Sequence, residues 1–350
     1  MNTRKGVLAA FLSLTFATAS LGISPDAAAA VRKKGSIAKQ QMHHNKKLRA
    51  TPTILNGHVP EVSSVIMVID ESHPEGFRVL NSDEPHARRT PASITKIMTL
   101  SLLFDAIESG EIKLNDKITL SDTDTGAGGT MLPAHPGTQI TVQQAILAMV
   151  TRSANNVAVS VAEHLAGSEA AFAQRMNQKA RKLGMNNTHF VNSHGMRDPN
   201  QYSSAYDLAL LSHHIITQQS EHYHYFSTLS FIYGRATYNN HNRLMRIYGG
   251  MDGLKTGMTN HGWQLAASAE RIIPANPEKN QPETIHRVIG VFMGGITKEQ
   301  RNNCLGHLMD QAFISLGHNI DGDRFSYSEK ACTSARHKPA PGSSNFTHLR

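Results

Sequence analysis

Apolar and polar positions along the chain predict a β-hairpin, a series of helices and two further strands. The β-rich runs 64–70 and 77–80 flank a polar turn that contains proline and glycine, which indicates the hairpin. Apolar periodicity predicts helices over 97–107, 142–150, 156–165, 169–183, 204–216 and 298–316. Runs 264–270 and 287–293 predict two neighbouring strands, whereas 218–250 is too weakly periodic to assign.

The first of these helices carries the most informative side chains. Pro91 suits a first helical turn, so Ser93 and Lys96 are expected one turn apart on the same helix face. Apolar residues surround this helix on nearly every side, which predicts that it is buried. A desolvated lysine amine has a lowered pKa and can act as a general base toward a nearby hydroxyl. The spacing by itself is weak evidence, because Ser36 and Lys39 repeat it in a polar, basic stretch.

Two loops contain further polar side chains that could reach a cleft. Ser153 and Asn155 lie in the break between helices 142–150 and 156–165. There they either project into a cleft or only cap the second helix. His194, in a later loop, either lines the same cleft or only fixes its own loop.

The first 30 residues have the order of a secretory signal peptide. Basic residues are followed by an apolar stretch over 6–23 and then by the small residues 27–30. An uncleaved membrane anchor is the alternative, but the apolar run is short and is interrupted by serine and threonine. No later run has the length needed to span a bilayer. We therefore expect an exported protein, located in the periplasm or on the cell-wall side of the membrane.

The net charge of +8 is concentrated in one segment. Residues 31–50 hold seven basic side chains and no acidic one, so the remainder of the chain is close to neutral. A basic segment on a neutral body is either an inert linker or a weak contact to wall polymer or membrane surface. We expect no nucleic-acid partner.

The histidines and cysteines give little sign of a metal centre or of a disulfide-built scaffold. Twenty histidines include no His-Glu-x-x-His pair, so no metal and no other cofactor is predicted. Export permits one disulfide between the only two cysteines. We expect Cys304 to pair with Cys332 and to tie the tail to the last helix.

Three short motifs occur in a fixed order, on a helix start, an inter-helix loop and a strand: Ser93-x-x-Lys96, Ser153-x-Asn155 and Lys255-Thr256-Gly257. With these motifs the chain resembles the penicillin-binding proteins and serine β-lactamases, and most closely the low-molecular-mass D-alanyl-D-alanine carboxypeptidases. The resemblance implies an α/β fold of the α+β type, like that of β-lactamases and DD-peptidases. Its parts would be an antiparallel five-stranded sheet flanked by helices and a helical subdomain, with the active site between them.

The resemblance also implies an activity and its catalytic residues. The implied activity is that of a serine-type carboxypeptidase. Such an enzyme removes the terminal D-alanine from peptidoglycan stem pentapeptides and is inhibited by β-lactam antibiotics. Ser93 would be acylated, Lys96 would take its proton, and Ser153 would relay a proton to the leaving D-alanine. The backbone N–H groups of Ser93 and Met258 would form the oxyanion hole. An endopeptidase that cuts D-alanyl-diaminopimelyl cross-links with the same residues is the alternative.

The remaining motif residues are candidates for substrate binding. Asn155 would bind the substrate amide, and Lys255 with Thr256 would bind the terminal carboxylate. Gly257 would let a substrate backbone approach, because glycine has no side chain in the way. His194 is included among these candidates.

Departures from the family pattern bear on these expectations. Ile296 stands where some members have an arginine near the substrate carboxylate, so Lys255 and Thr256 are expected to carry more of that recognition. Asn156 stands where relatives often have aspartate. Between Asn155 and Lys255, where class A β-lactamases carry the Glu-x-x-Leu-Asn motif with which they deacylate, no glutamate has that context, and the chain lacks the ligand set of a zinc-dependent DD-peptidase. A non-catalytic wall-binding protein would have no need of the Ser93 and Lys96 pair.

The predicted domain organisation has four parts. They are a signal peptide over 1–30, a basic linker over 31–55, a serine DD-peptidase catalytic domain over 56–317 and a C-terminal tail over 318–350. The small β-domain and amphipathic anchor that end many relatives are not predicted here.

Overall fold

The computed structural model describes residues 61–121, 128–260, 262–320 and 332. The predicted signal peptide, the basic linker and nearly all of the predicted tail lie outside these residues. Within the described ranges, none of the helices combines the length and the apolarity that crossing a membrane would require.

A five-stranded antiparallel sheet forms the centre of the fold. Its strands are β1 Ser63–Ile69, β2 Phe77–Asp83, β7 Met251–Thr259, β8 Gly262–Ile273 and β9 Thr284–Gly295. Their order in the sheet is β2-β1-β9-β8-β7, and every neighbouring pair is antiparallel. The predicted hairpin is β1 with β2, and the five-stranded antiparallel sheet implied by the family resemblance is confirmed.

Two small hairpins complete the strands of the described chain. They pair β3 Lys117–Thr119 with β4 Gln139–Thr141, and β5 Ser230–Tyr233 with β6 Ala236–Asn239. The second hairpin lies in the stretch that the sequence left unassigned. Its strands are only four residues long and mostly exposed, so they lack the regular apolar alternation of a longer half-buried strand.

The predicted helices are all present. The described α-helices are α1 Lys96–Glu108, α2 Val142–Leu147, α3 Asn155–Ala166, α4 Glu169–Lys182, α5 Ala205–Gln218, α6 Ser220–Tyr223 and α7 Lys298–Ser315. Before α1 the chain forms a 3₁₀ turn, Ala92–Thr95, rather than a first α-helical turn. Ala92 has a φ of +52°, which a right-handed α-helix does not contain, so the α-helix begins only at Lys96.

Helices cover both faces of the sheet. Along β1, the side chains of Val65 and Met67 belong to the core that contains α1 and α5, whereas Ile66 and Val68 belong to the core that contains α7. Successive strand side chains point to opposite faces. This explains why β1 is apolar almost without interruption and why its residues are nearly all buried.

Two cross-links hold the strands and α7 in place. Arg287 on β9 bonds to Asp252 on β7 and to Glu270 on β8, with shortest N–O distances of 2.8 Å in both cases. Cys304 on α7 is bonded to Cys332, and their Cα atoms lie 5.2 Å apart. The predicted pairing of the two cysteines is therefore confirmed.

Candidate active site

Ser93 is held in the 3₁₀ turn by backbone packed against it from a distant strand and a distant loop. A Cβ added to Gly257 on β7 would lie 2.9 Å from the Cβ of Ala92 and 3.3 Å from the backbone nitrogen of Ser93. A Cβ added to Gly195 would lie 1.9 Å from the carbonyl oxygen of Ala92. The positive φ of Ala92, a non-glycine residue, is a strained backbone conformation of the kind that clusters at functional sites.

Gly257 also has a packing role within the protein, besides the predicted approach of a substrate backbone. Its missing side chain lets β7 approach the turn that carries Ser93, because the nearest atoms to an added Cβ are protein atoms of Ala92, Pro91 and Ser93. Strand and turn form one wall of the site only because residue 257 is glycine.

Lys96 lies directly behind Ser93, as the spacing predicts. Its Nζ is 3.3 Å from the Ser93 Oγ, and it donates to the Asn155 Oδ1 and to the His194 carbonyl oxygen, both at 2.6 Å. The side chain has no solvent exposure. Burial, with the nearby charge of Lys255 as a second cause, holds the pKa of the Lys96 amine well below its usual 10.5. An amine with a lowered pKa beside a hydroxyl is the arrangement of a general base and its nucleophile.

Ser153 projects from the break between α2 and α3. The chain passes from α2 through a π-helical turn, Ala148–Arg152, to Ser153, whose φ of 62° is left-handed. Ser153 is only 3% exposed, and in the described part of the chain its Oγ has no hydrogen-bond partner. A buried hydroxyl without a partner is costly, which favours a functional role over a structural one.

Asn155 joins the lysine to the opposite wall of the cleft. Its Oδ1 accepts from the Lys96 Nζ, and its Nδ2 donates to the Gly128 carbonyl oxygen at 2.7 Å. The N-cap of α3 is Ala154, and no side chain bonds to that cap. The alternative that Ser153 or Asn155 only caps the helix is thus excluded.

Lys255 is a second buried amine, on β7. It is 1% exposed, and its Nζ donates to the backbone oxygen of Thr256 at 3.1 Å. Burial, with the Arg301 charge as the second cause, lowers the pKa of Lys255 to about 7. Thr256 is buried beside it, whereas the Met258 side chain is 56% exposed at the mouth of the site.

His194 contributes its backbone to the site, while its ring serves its own loop. The ring Nδ1 accepts from the Met196 N–H at 3.1 Å, and Nε2 lies 3.5 Å from a Glu169 carboxylate oxygen. Burial, followed by the Lys96 charge, lowers the pKa of the imidazole to about 3, so the ring is neutral. The ring thus bonds within its own loop, and the His194 carbonyl oxygen accepts a hydrogen bond from the Lys96 Nζ.

A cavity of about 410 Å³ opens onto these residues. Ser93, Ser153, Thr256, Gly257 and Met258 line it, while Lys96 and Lys255 lie behind this lining. The lining also includes residues that the sequence did not indicate: Thr130, Asn239, Asn240, His241, Arg243, Trp263, Lys298 and Arg301. None of the lining residues is acidic, and three are cationic, so the cavity favours an anionic ligand.

Most of the residues missed by sequence reasoning come from two regions. Asn239 ends β6 and Asn240 and His241 follow it, in the unassigned stretch, whereas Arg301 lies in the first turns of α7. An arginine near the start of a helix normally indicates a solvated face. No local signal in the sequence distinguishes Arg301 from that common case.

Comparison with known proteins identifies the family to which the chain belongs. The family model described as D-alanyl-D-alanine carboxypeptidase matches residues 56–273. D-alanyl-D-alanine carboxypeptidase DacF of Bacillus subtilis is 34% identical over 242 residues, which cover 67% of this chain. The match spans 59% of DacF, so the chain spans about three-fifths of the length of that relative.

Solved structures show the same fold. Penicillin-binding protein 6B of Escherichia coli superposes with a TM-score of 0.62 at 30% identity, covering 75% of this chain and 79% of that one. Penicillin-binding protein D2 of Listeria monocytogenes, solved in an ampicillin-bound form, superposes with a TM-score of 0.61 at 26% identity, covering 73% and 98%. The chain therefore belongs to the D-alanyl-D-alanine carboxypeptidase family.

Proposed function

We propose that the protein is a serine-type D-alanyl-D-alanine carboxypeptidase that removes the terminal D-alanine from peptidoglycan stem pentapeptides. The observation that carries the proposal is the fully buried Lys96 amine, 3.3 Å from the Ser93 Oγ. Membership of the carboxypeptidase family supports the choice of substrate. The site belongs outside the cytoplasm, where such stem peptides are exposed, and this agrees with the signal peptide predicted over 1–30.

Acylation begins at Ser93. The neutral Lys96 amine takes the proton of the Ser93 hydroxyl as its oxygen attacks the carbonyl carbon of the penultimate D-alanine. The resulting oxyanion is bound by the backbone N–H groups of Ser93 and Met258, which lie on the turn and on the strand that Gly257 brings together. The Ser153 hydroxyl, buried and without a partner in the described chain, passes a proton to the departing amine and takes one from the Lys96 ammonium, which returns Lys96 to its neutral form. The C–N bond then breaks, leaving an ester on Ser93 and free D-alanine.

Substrate binding uses the cationic side of the cavity. The terminal carboxylate lies against Lys255 and Thr256, and the Asn155 side chain binds a substrate amide. Water then hydrolyses the ester, with Lys96 again accepting a proton. Glu169 is bonded to the backbone N–H and hydroxyl of Ser193, at 2.9 and 2.5 Å, and therefore serves the His194 loop. Slow hydrolysis of a penicilloyl ester follows, because this site contains no dedicated deacylating glutamate among the described residues.

The proposed acylation is tested by mass spectrometry after incubation with penicillin. We expect a single adduct on the peptide that contains Ser93, and we expect Ser93→Ala to abolish it. The matched control is Ser36→Ala, because Ser36 and Lys39 have the same spacing in the basic segment. Labelling that persists in Ser93→Ala, or that is lost in Ser36→Ala, would contradict the assignment.

The choice of reaction is tested by competition between a monomeric pentapeptide and a cross-linked dimer at equal concentration. A carboxypeptidase releases D-alanine faster than it separates the dimer. The reverse order would establish the endopeptidase instead, with the same catalytic residues. A contact of the basic segment 31–50 with wall polymer or membrane remains a proposal, and removal of this segment should leave turnover of the soluble pentapeptide unchanged.

A further inference from the structure

The Lys96 amine faces three oxygen atoms, at two different distances. The Asn155 Oδ1 and the His194 carbonyl oxygen each lie 2.6 Å from the Nζ, and the Ser93 Oγ lies 3.3 Å from it. A neutral amine has two N–H groups and one lone pair. Because the two nearer oxygens can only accept a hydrogen bond, they take the two N–H groups, and the lone pair is left for the Ser93 hydroxyl. The two nearer oxygens therefore set the direction of the general base.

The acceptor at His194 belongs to a loop, so its position depends on what holds that loop. Ser193, the preceding residue, is fully buried and is bound from two sides. Its carbonyl oxygen accepts from the hydroxyl of Thr99, on α1, at 2.5 Å. Its N–H and its hydroxyl both donate to the Oε1 of Glu169, the first residue of α4, at 2.9 and 2.5 Å. Thr99 ties the loop to the helix that carries Lys96, and Glu169 anchors it from a different helix.

The His194 ring brings a third donor to the same carboxylate oxygen. Burial lowers the pKa of the imidazole to about 3, so the ring is neutral. Its Nδ1 accepts from the Met196 N–H, which leaves the ring proton on Nε2. Nε2 lies 3.5 Å from the Glu169 Oε1. This oxygen thus faces two donors of Ser193 and one of His194, an arrangement that suits an ionised carboxylate, because a carboxylate only accepts and its hydrogen bonds are the stronger for its charge.

We propose that Glu169 is a positioning residue for the general base. It fixes Ser193 and the His194 ring, and through them it keeps the His194 carbonyl oxygen where it directs the lone pair of Lys96 toward the Ser93 hydroxyl. Glu169 is not among the described residues that line the active-site cavity, so it acts through the loop and not on the substrate. The inference rests on the proposed function, in which Lys96 takes the Ser93 proton. None of the three sequence motifs contains this residue.

The test measures acylation of Ser93 by a chromogenic cephalosporin in excess over the protein. Under this condition the observed rate constant does not depend on the fraction of protein that is folded, so a variant that is only less stable keeps the wild-type rate. The dependence on cephalosporin concentration separates the Kd of the initial complex from the acylation rate constant k2. In Glu169→Ala, k2 should fall about 10- to 100-fold while Kd stays within about threefold, because the base is misaligned and the cavity is intact.

Two conservative variants separate the reach of the side chain from its charge. Glu169→Gln keeps the length and an amide oxygen that can accept from Ser193, so k2 should stay within about fivefold of the wild-type value. Glu169→Asp keeps the charge but is one CH₂ group shorter, so its carboxylate reaches Ser193 only if the loop moves. We expect k2 to fall about 10-fold in this variant. This order of the two variants tests the proposal even if Glu169→Ala does not fold.

The matched control is Asp207→Ala. One Asp207 oxygen accepts from the Asn187 N–H and from the Thr188 hydroxyl, both at 2.7 Å, which repeats the pattern at Glu169. Asp207 is also buried, but among the described residues neither of its partners bonds to Lys96. Its substitution should lower the free energy of unfolding and leave k2 unchanged.

Three results would overturn the role of Glu169 while leaving the proposed function in place. They are a wild-type k2 in Glu169→Ala, an equal fall of k2 in Asp207→Ala, and a k2 that is lower in Glu169→Gln than in Glu169→Asp. A wild-type protein that is not acylated at Ser93 would overturn the proposed function as well.

Discussion

Replacing Lys255 by methionine should make the protein more stable at neutral and acidic pH, although it removes a proposed substrate-binding group. The Lys255 amine is buried, and the one hydrogen bond it makes to the described part of the chain is to the neighbouring Thr256 carbonyl oxygen. Methionine has a similar length and no charge. The substitution therefore removes the desolvation cost of a buried cation at little cost in packing.

The size of the effect follows from the pKa. Burial lowers the pKa of Lys255 from 10.5 to about 7, and at about 1.4 kcal/mol per pKa unit this corresponds to roughly 5 kcal/mol. Below pH 7 the amine is protonated in both the folded and the unfolded state, and the folded state bears the full desolvation cost of the buried cation. Between pH 7 and 10.5 the unfolded state binds more protons, so stability rises with pH and the cost falls to zero. Loss of the bond to Thr256 offsets about 1 kcal/mol of the gain.

The assay is urea unfolding of both proteins at about pH 6 and about pH 9. At the lower pH we expect Lys255→Met to raise the free energy of unfolding by about 2–4 kcal/mol, and at the higher pH the gain should be smaller by about 3 kcal/mol. Lys179→Met is the control: burial also lowers the pKa of Lys179, but this amine is bonded to both carboxylate oxygens of Asp105 at 2.7 Å, so its removal breaks an ion pair and the gain at pH 6 should be smaller than that of Lys255→Met. A Lys255→Met protein that is less stable than wild type at pH 6, or whose gain does not change with pH, would refute this reasoning.

Further substitutions test the packing at Gly257 and the contribution of the disulfide. Gly257→Ala places a Cβ 2.9 Å from that of Ala92 and should reduce the rate of penicillin acylation of Ser93 about 100-fold. In the control Gly249→Ala, the nearest atom lies 4.0 Å from the added Cβ, so the rate should be nearly unchanged. Similar rates in the two variants would contradict the proposed role of Gly257. Cys304→Ala and Cys332→Ala should each lower the free energy of unfolding by about 3 kcal/mol, because each opens the loop that the disulfide closes. A reductant should lower the free energy of unfolding of the wild-type protein by the same amount. A wild-type protein whose stability does not change with reductant would show that the disulfide adds no stability.

Local signals were sufficient for the helices, the hairpin and the Ser93–Lys96 pair. The apolar surround of α1 predicted a buried lysine, and the spacing placed its amine beside the hydroxyl. Both facts depend on periodicity within one element, which the sequence records directly. Ser204 caps the start of the predicted helix 204–216, and its side chain accepts from the Asp207 N–H.

Features that depend on contact between distant segments could not be predicted. The reason for glycine at 257 is its contact with Ala92, and the charge of Arg301 acts on Lys255 only because α7 packs on the face of the sheet opposite α1. The left-handed backbone of Ala92 is imposed by neighbours, because alanine itself prefers a right-handed helix. Such contacts arise from tertiary packing, and a single sequence contains no local record of them.

The way in which Ser93 is positioned ties its reactivity to completion of the fold. The turn at Ala92 is fixed by Gly195 and Gly257, which lie far apart in the chain and on different elements, and Gln264 on β8 adds a bond to the Thr90 carbonyl oxygen. A chain that has not yet formed β7 and β8 lacks these contacts, so it cannot hold the serine in its reactive conformation. The proposed penicillin labelling of Ser93 would therefore report folding, and a newly made or unfolded chain would remain inert until these strands join the sheet.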